Sequence, residues 1–367
     1  MSMQVLREWP PGYGGVERVA HELACVWGEL VLSLNAQPDR RLEQDPLPVS
    51  YPRQCLPRFI PFGRLLLPWP SRLLWQLLIS PQPLHGHLPS PAVLLLLLLA
   101  RLLRPGRRVS AHWHCFLERV PGVTGSLYEL YQRLALLVVP HLSAVVTTSP
   151  VLAAELQRAG CRAERIKVLS CCLGEFQERA ALALPMRVVR SDTPLQVLFI
   201  GRLDSYKRLD WLMQALLELQ QPWQLQVVGD GPRKAAFECQ ARELFGPDAS
   251  VSFLGRLDEA AKLACLAKAD VLVLPSDLSN EAFGIVQLEA MAAGIPSLAF
   301  QRQRSGMGWV GQLPGLVWSQ QPADLATVLQ RLAKEPQLRR ELALQARERY
   351  QDLFARRVWR RHLDALF

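Results

Sequence analysis

The 367-residue chain is most informative first in what it is short of. It has no CxxC spacing among its 8 cysteines, which sit mostly within apolar segments. Reduced thiols are therefore expected, and neither a disulfide scaffold nor a zinc ribbon. No basic-then-apolar leader opens the sequence, and its most hydrophobic run, 92–100 followed by Arg101, is too short to cross a bilayer. A cytoplasmic protein is the expectation. Basic residues are scattered and no nucleic-acid module signature appears, so a nucleic-acid partner is not expected. No repeat is visible beyond an alternating α/β pattern. The glycine-rich Gly229-Asp-Gly231-Pro-Arg-Lys234 has lysine where a dinucleotide fingerprint needs its third glycine, which disfavours a nicotinamide-dependent oxidoreductase.

What is present suffices for two α/β domains: half of the residues are hydrophobic, and 42 basic against 33 acidic residues give a net charge of +9. A positive balance suits an anionic partner, either phosphates or acidic lipid headgroups. In chain order, 3–6 reads as a strand and Gly14-Gly15 as a glycine turn into a helix over 16–27, a geometry that lets backbone approach a phosphate. A second strand is expected at 29–34. Proline-rich 45–83 reads as loops and broken helices, with Arg53, Arg58, Arg64, Arg72, Trp69 and Trp75 able to rest on a membrane interface. Strand, helix, strand follow over 84–116, bearing the pairs His85/His87 and His112/His114. Metal ligation by these pairs needs convergent ligands that spacing does not supply, and a histidine at a strand's C-terminal end better suits a ligand crevice. After strand 143–148, helix 151–159 and strand 166–170, the stretch 174–194 lacks a period and reads as a linker. Strand and helix then alternate from 197 to 300, which predicts a parallel, doubly wound sheet.

The organising stretch is Glu281-Ala-Phe-Gly-Ile-Val-Gln-Leu-Glu289-Ala-Met-Ala-Ala-Gly294-Ile-Pro296, a loop and a short helix apolar on nearly every side. Glu289 breaks that pattern, and a buried carboxylate needs an internal donor or a ligand hydroxyl. Eight residues of helical rise cover about 12 Å, roughly the span from a transferring sugar to the ribose of a nucleotide-sugar. The amides of Phe283, Gly284 and Ile285 at the helix start suit the diphosphate between them. The plainer reading is a core helix whose glutamate meets a neighbouring arginine. At the end of the first strand of the second half, Arg202 and Lys207 supply a forked and a point cation for a leaving diphosphate, unless they are ordinary surface charges.

Gly201-Arg202 with Lys207, "VGDGP" at 228–232, Pro275-Ser276 and above all "EAFGIVQLEAMAAGIP" resemble the group-1 retaining glycosyltransferases with the GT-B fold. The likeness is specific over 195–310 and looser over "GYGGVERVAHELA", "HLPSP", "HWHCF" and "VVTTSP". The pattern is most similar to O-antigen and exopolysaccharide enzymes, often mannosyltransferases. The resemblance implies two Rossmann-like doubly wound domains facing a central cleft: an acceptor-side domain over 1–180, a nucleotide-sugar domain over 190–345, and a C-terminal helix over 346–367 packing back on the first domain. It implies transfer of a hexose, with retention, from a GDP- or UDP-linked sugar to a lipid-linked or oligosaccharide acceptor in surface polysaccharide assembly, at the inner face of the plasma membrane. His114 (His112 as second choice), Arg202, Lys207 and Glu281 would be catalytic. Gly14, Gly15, Phe283, Gly284, Ile285 and Glu289 would bind the donor. No Asp-x-Asp is present, so no metal is expected, nor any cofactor. Ser170-Cys-Cys-Leu-Gly174 replaces the family's usual Asn-Gly, a departure on the acceptor side. A non-catalytic nucleotide-sugar-binding protein of the same fold is the alternative.

Overall fold

The computed structural model describes residues 2–12, 14–35, 47–62, 65–118, 122–188, 193–247, 250–316, 318 and 321–366. Two compact units result, Met1–Cys171 with His362–Phe367 and Cys172–Arg361.

The first unit is built on β1 (Met3–Glu8), β2 (Val31–Asn35), β3 (Arg53–Cys55), β4 (Arg58–Phe62), β5 (Leu65–Pro68), β6 (Leu84–Leu88), β7 (Val109–Trp113), β8 (Ala144–Thr147) and β9 (Ile166–Val168). Seven of these form one parallel sheet in the order β3-β2-β1-β6-β7-β8-β9, while β4 and β5 make a separate antiparallel pair. Every residue of β6 and β7 is buried, as expected of central parallel strands covered on both faces. The helix Gly15–Trp27 starts at Gly14 and stops at Gly28, whose φ of 67° is glycine's left-handed region.

Proline-rich 45–83 departs from its sequence reading. It contains β3, the β4–β5 pair and a regular helix, Arg72–Ile79, capped by Ser71. Prolines suit these elements because Pro61 of β4 and Pro68 of β5 lie in a two-stranded pair, where each strand needs only one ladder of hydrogen bonds. The helix Val123–Val138 has no counterpart in the sequence reading.

The second unit carries β10 (Leu195–Ile200), β11 (Trp223–Val228), β12 (Val251–Gly255), β13 (Val271–Leu274) and β14 (Ser297–Ala299), all parallel, in the order β12-β11-β10-β13-β14. The stretch read as a linker over 174–194 instead holds a helix, Glu175–Leu182, which packs on Val286–Ala292. Only Gln177 and Ala181 of it are buried, so its sequence shows no apolar stripe to find. The C-terminal part forms helices Asp324–Lys334, Pro336–Leu353 and Arg356–Leu366.

Candidate functional site

In the second unit, β10 and β13 are neighbours, so the loops leaving their C-terminal ends lie side by side. Three ties join these loops. Asp277 N–H donates to the Tyr206 carbonyl at 3.0 Å, Arg208 Nη1 reaches Asp277 Oδ2 at 3.1 Å, and Lys207 Nζ pairs with Glu281 Oε2. Lys207 is buried. Burial works to lower its pKa, and the facing Glu281 carboxylate, with Tyr206 and Asp204, more than offsets it, leaving the net shift upward from 10.5. Arg202 is two-thirds exposed and lies 3.5 Å from Asp204. The Ser276 hydroxyl at the end of β13 is buried and has no partner among the described residues.

The glycines of "VGDGP" have a structural job. Gly229 has φ of 134°, and a Cβ there would lie 1.9 Å from the Gly201 carbonyl oxygen; one at Gly231 would lie 2.3 Å from that of Leu203. Both glycines are spent on backbone packing between the loops after β10 and β11, which removes the dinucleotide reading of this turn.

The helix Val286–Ala292 follows the loop that begins at Glu281. Gly284 takes φ of 71°, and a Cβ there would meet Leu274 Cδ2 at 2.5 Å. Among the described residues, the N–H groups of Phe283, Gly284 and Ile285 have no acceptor. Gln287, passed over in the sequence, holds the loop. Its Nε2 donates to the carbonyls of Phe283 at 2.8 Å and Met307 at 3.0 Å, and its Oε1 accepts from Ser297 Oγ at 2.9 Å. Ser305 Oγ donates to the Glu281 carbonyl at 2.6 Å.

Glu289 meets Lys262, not an arginine: Nζ lies 2.9 Å from Oε2, close enough for an ion pair though Oε2 lacks hydrogen-bond geometry. Lys262 also reaches Glu259 at 3.0 Å, and Gln177 Nε2 donates to Glu259 at 2.8 Å. These side chains line a cavity of about 130 Å3 whose apolar wall includes Phe176, Leu263 and Leu266. Lys262 and Glu259 escaped the sequence reading because Asp258-Glu-Ala-Ala-Lys262 looks like an ordinary capped helix start, which it also is.

In the first unit, His85, His87, His112 and His114 share one face of β6 and β7, because His85 pairs with Ser110 and His87 with His112 in register. His112 and His114 stack with ring centroids 4.3 Å apart and planes 11° apart. Burial drives every one of them to the neutral form: His85 and His114 fall to about 3, and His87 and His112 fall well below 6.5, with neighbouring histidines adding to the shift of all but His85. The nitrogens of His85, His87 and His112 lie within 4.8 Å of one another. His87, however, uses one nitrogen on Gln4 and the other on His114, so it has no lone pair left for an ion. His112 is wholly enclosed, whereas His114, just past the end of β7, keeps 6% of its surface. Of the two, His114 is the one with surface left to offer.

Gly14 and Gly15 do open a helix, but the turn is occupied. A Cβ at Gly14 would meet Glu17 Oε2 at 2.1 Å, so the chain's own carboxylate crowds this turn. Burial raises the Glu17 pKa, opposed by its own backbone amide.

Comparison with known proteins decides the family. Residues 186–349 match "Glycosyl transferases group 1", and residues 13–173 match "Glycosyltransferase Family 4". The chain belongs to the group-1 glycosyltransferases. It is 34% identical over 164 residues to the D-rhamnosyltransferase WbpZ of Pseudomonas aeruginosa, covering 44% of this chain and 42% of that one. It is 32% identical over 236 residues to the D-inositol 3-phosphate glycosyltransferase of Saccharomonospora viridis, covering 61% and 49%. The chain thus spans less than half the length of these curated relatives. Among solved structures, Anabaena HepE in complex with UDP superposes over 100% of this chain and 99% of that one, with a TM-score of 0.74 at 18% identity. The fold of this group-1 glycosyltransferase is therefore GT-B, with two Rossmann-like units.

Proposed function

We propose that this group-1 glycosyltransferase moves a hexose from a GDP- or UDP-linked sugar, with retention of configuration, to a lipid-linked or saccharide acceptor in surface polysaccharide assembly. One observation carries the reading: the loops after β10 and β13 bring Lys207 onto Glu281 beside the free amides of Phe283, Gly284 and Ile285. In this reading Lys207 and Arg202 hold the diphosphate and Glu281 takes donor-sugar hydroxyls. Glu289 binds the ribose, and the 130 Å3 cavity beside it takes the nucleoside. The leaving diphosphate oxygen accepts the acceptor's proton on the same face. Fixed cations and amides stabilise the departing charge, so no metal is required. HepE, the structural neighbour, binds UDP, which supports a nucleotide donor. For Gly14 and Gly15 a phosphate role requires Glu17 to swing away from the turn.

Among the described residues no helix is long and apolar enough to cross a membrane. The first unit nonetheless exposes Phe59, Ile60, Trp69 and Trp75, and beside them Leu95 and Leu102 on one helix and Leu127, Leu130, Leu134 and Leu137 on the next. This surface supports docking on a membrane that presents the acceptor. Its charge differs from the sequence expectation. Arg53 bonds the Pro10 carbonyl and Arg58 bonds Asn35, so neither is free for lipid; Arg72 is exposed, and Arg64 lies outside the described residues.

The deciding experiment is a thermal-shift panel of nucleotide-sugars followed by turnover of each binder, with and without EDTA. A donor that raises Tm and is hydrolysed or transferred in EDTA supports the reading. Binding without turnover leaves a non-catalytic binder, and loss of turnover in EDTA restored by Mg2+ or Mn2+ ends the metal-free mechanism.

A further inference from the structure

The buried histidines of the first unit are joined in a chain whose proton positions follow from one amide. Gln4 Nε2 lies 3.2 Å from the Ala20 carbonyl oxygen, so the nitrogen of that amide must face Ala20 and its oxygen must face the other way. Gln4 Oε1 is 2.8 Å from His87 Nε2. An amide oxygen carries no proton, so His87 Nε2 donates. A neutral imidazole holds one proton, which leaves His87 Nδ1 bare. His87 Nδ1 is 2.9 Å from His114 Nε2, which must donate in turn, and His114 Nδ1 is bare as well. Burial keeps both rings neutral at neutral pH. His114 is also fixed at the end of β7 through its backbone N–H, 3.0 Å from the Leu88 carbonyl.

We propose that Gln4 and His87 are positioning residues that lock His114 in the Nε2–H tautomer, so that its Nδ1 lone pair accepts a hydrogen bond from an uncharged sugar hydroxyl. A bare lone pair on a neutral ring repels phosphate oxygens and attracts O–H groups. The ligand group at this position is therefore a hydrogen-bond donor rather than an anion. This assignment rests on the reading of His114 as a ligand-touching residue.

The test is nitrogen NMR of histidine-labelled enzyme at pH 7, with His87 and His114 assigned by the loss of each signal in His87→Gln and His114→Gln. The expected spectrum shows both residues protonated at Nε2 and bare at Nδ1. A His114 protonated at Nδ1, or at both nitrogens, overturns the assignment. Gln4→Met, close in length and without the amide oxygen, should then put His114 in exchange between two tautomers. Its kcat should fall about tenfold while the KM for the nucleotide-sugar stays within about twofold. An unchanged tautomer and kcat in Gln4→Met would show that Gln4 positions nothing. If the tautomers are as assigned and His114→Ala turns over at the full rate, it is the ligand-touching role of His114 that fails.

Discussion

The polar clusters of the two units are built from opposite chemistry. In the second unit they are charged and paired: Lys207 with Glu281, Arg208 with Asp277, and Lys262 with Glu289. In the first they are neutral imidazoles bonded to one another, and all 7 histidines of the chain fall in that unit, none between 172 and 361. A charged constellation holds its geometry by Coulomb attraction and meets a charged ligand by exchanging partners. A neutral one holds its geometry by directional hydrogen bonds and meets hydroxyls.

The contrast can be broken hardest with acid. The four clustered histidines have folded pKa values below their unfolded value near 6.5, so below that pH the unfolded chain binds protons that the folded unit refuses. Stability is thus full above about 6.5 and falls as pH drops, by about 1.4 kcal/mol per pH unit for each histidine until its folded pKa is reached. Hydrogen exchange followed from pH 7 to 5 should show the first unit losing protection by several kcal/mol while the second, with no histidine, keeps its own. Equal loss in both units would contradict the neutral state of the cluster.

A smaller but local break is Glu281→Ala, which strips buried Lys207 of its paired carboxylate. It should destabilise the second unit by about 3 kcal/mol, the low end for stripping one partner from a buried pair. Denaturant unfolding would measure it, and Glu281→Ala with Lys207→Met should recover much of the loss. If the double variant is no more stable than the single one, the pair is not what holds these loops together.

The same contrast can be sharpened on the ligand side. Glu289→Ala should weaken free nucleotide by about 1.5 to 3 kcal/mol, the range for hydrogen bonds to a charged group, whereas Glu281→Ala should weaken a nucleotide-sugar more than the nucleotide alone. Calorimetry giving equal losses for both ligands in both variants would remove the division of labour between the two carboxylates. The mildest change is Gln287→Leu. It should cost about 2 kcal/mol, because the Phe283 and Met307 carbonyls and the Ser297 hydroxyl lose their common partner. Unfolding within about 0.5 kcal/mol of wild type would mean that backbone contacts such as Gly306 N–H to the Ala282 carbonyl hold the loop by themselves.

By itself the sequence determined the parallel α/β architecture, since strand and helix alternate with buried apolar strands. It also determined the loop-and-helix motif at 281–296, since Gly284 and Gly294 sit where positive φ is needed. Those signals are local, carried by residues within one or two turns of each other. Tertiary structure alone decided which charge meets which. Lys262 lies 27 residues before Glu289, and Lys207 lies 74 before Glu281; no periodicity spans such separations. The same holds for His87, which owes its proton to Gln4, 83 residues earlier. Burial decided the rest: it holds the four clustered histidines neutral. Desolvation and partner choice depend on what packs overhead, and a linear sequence states neither.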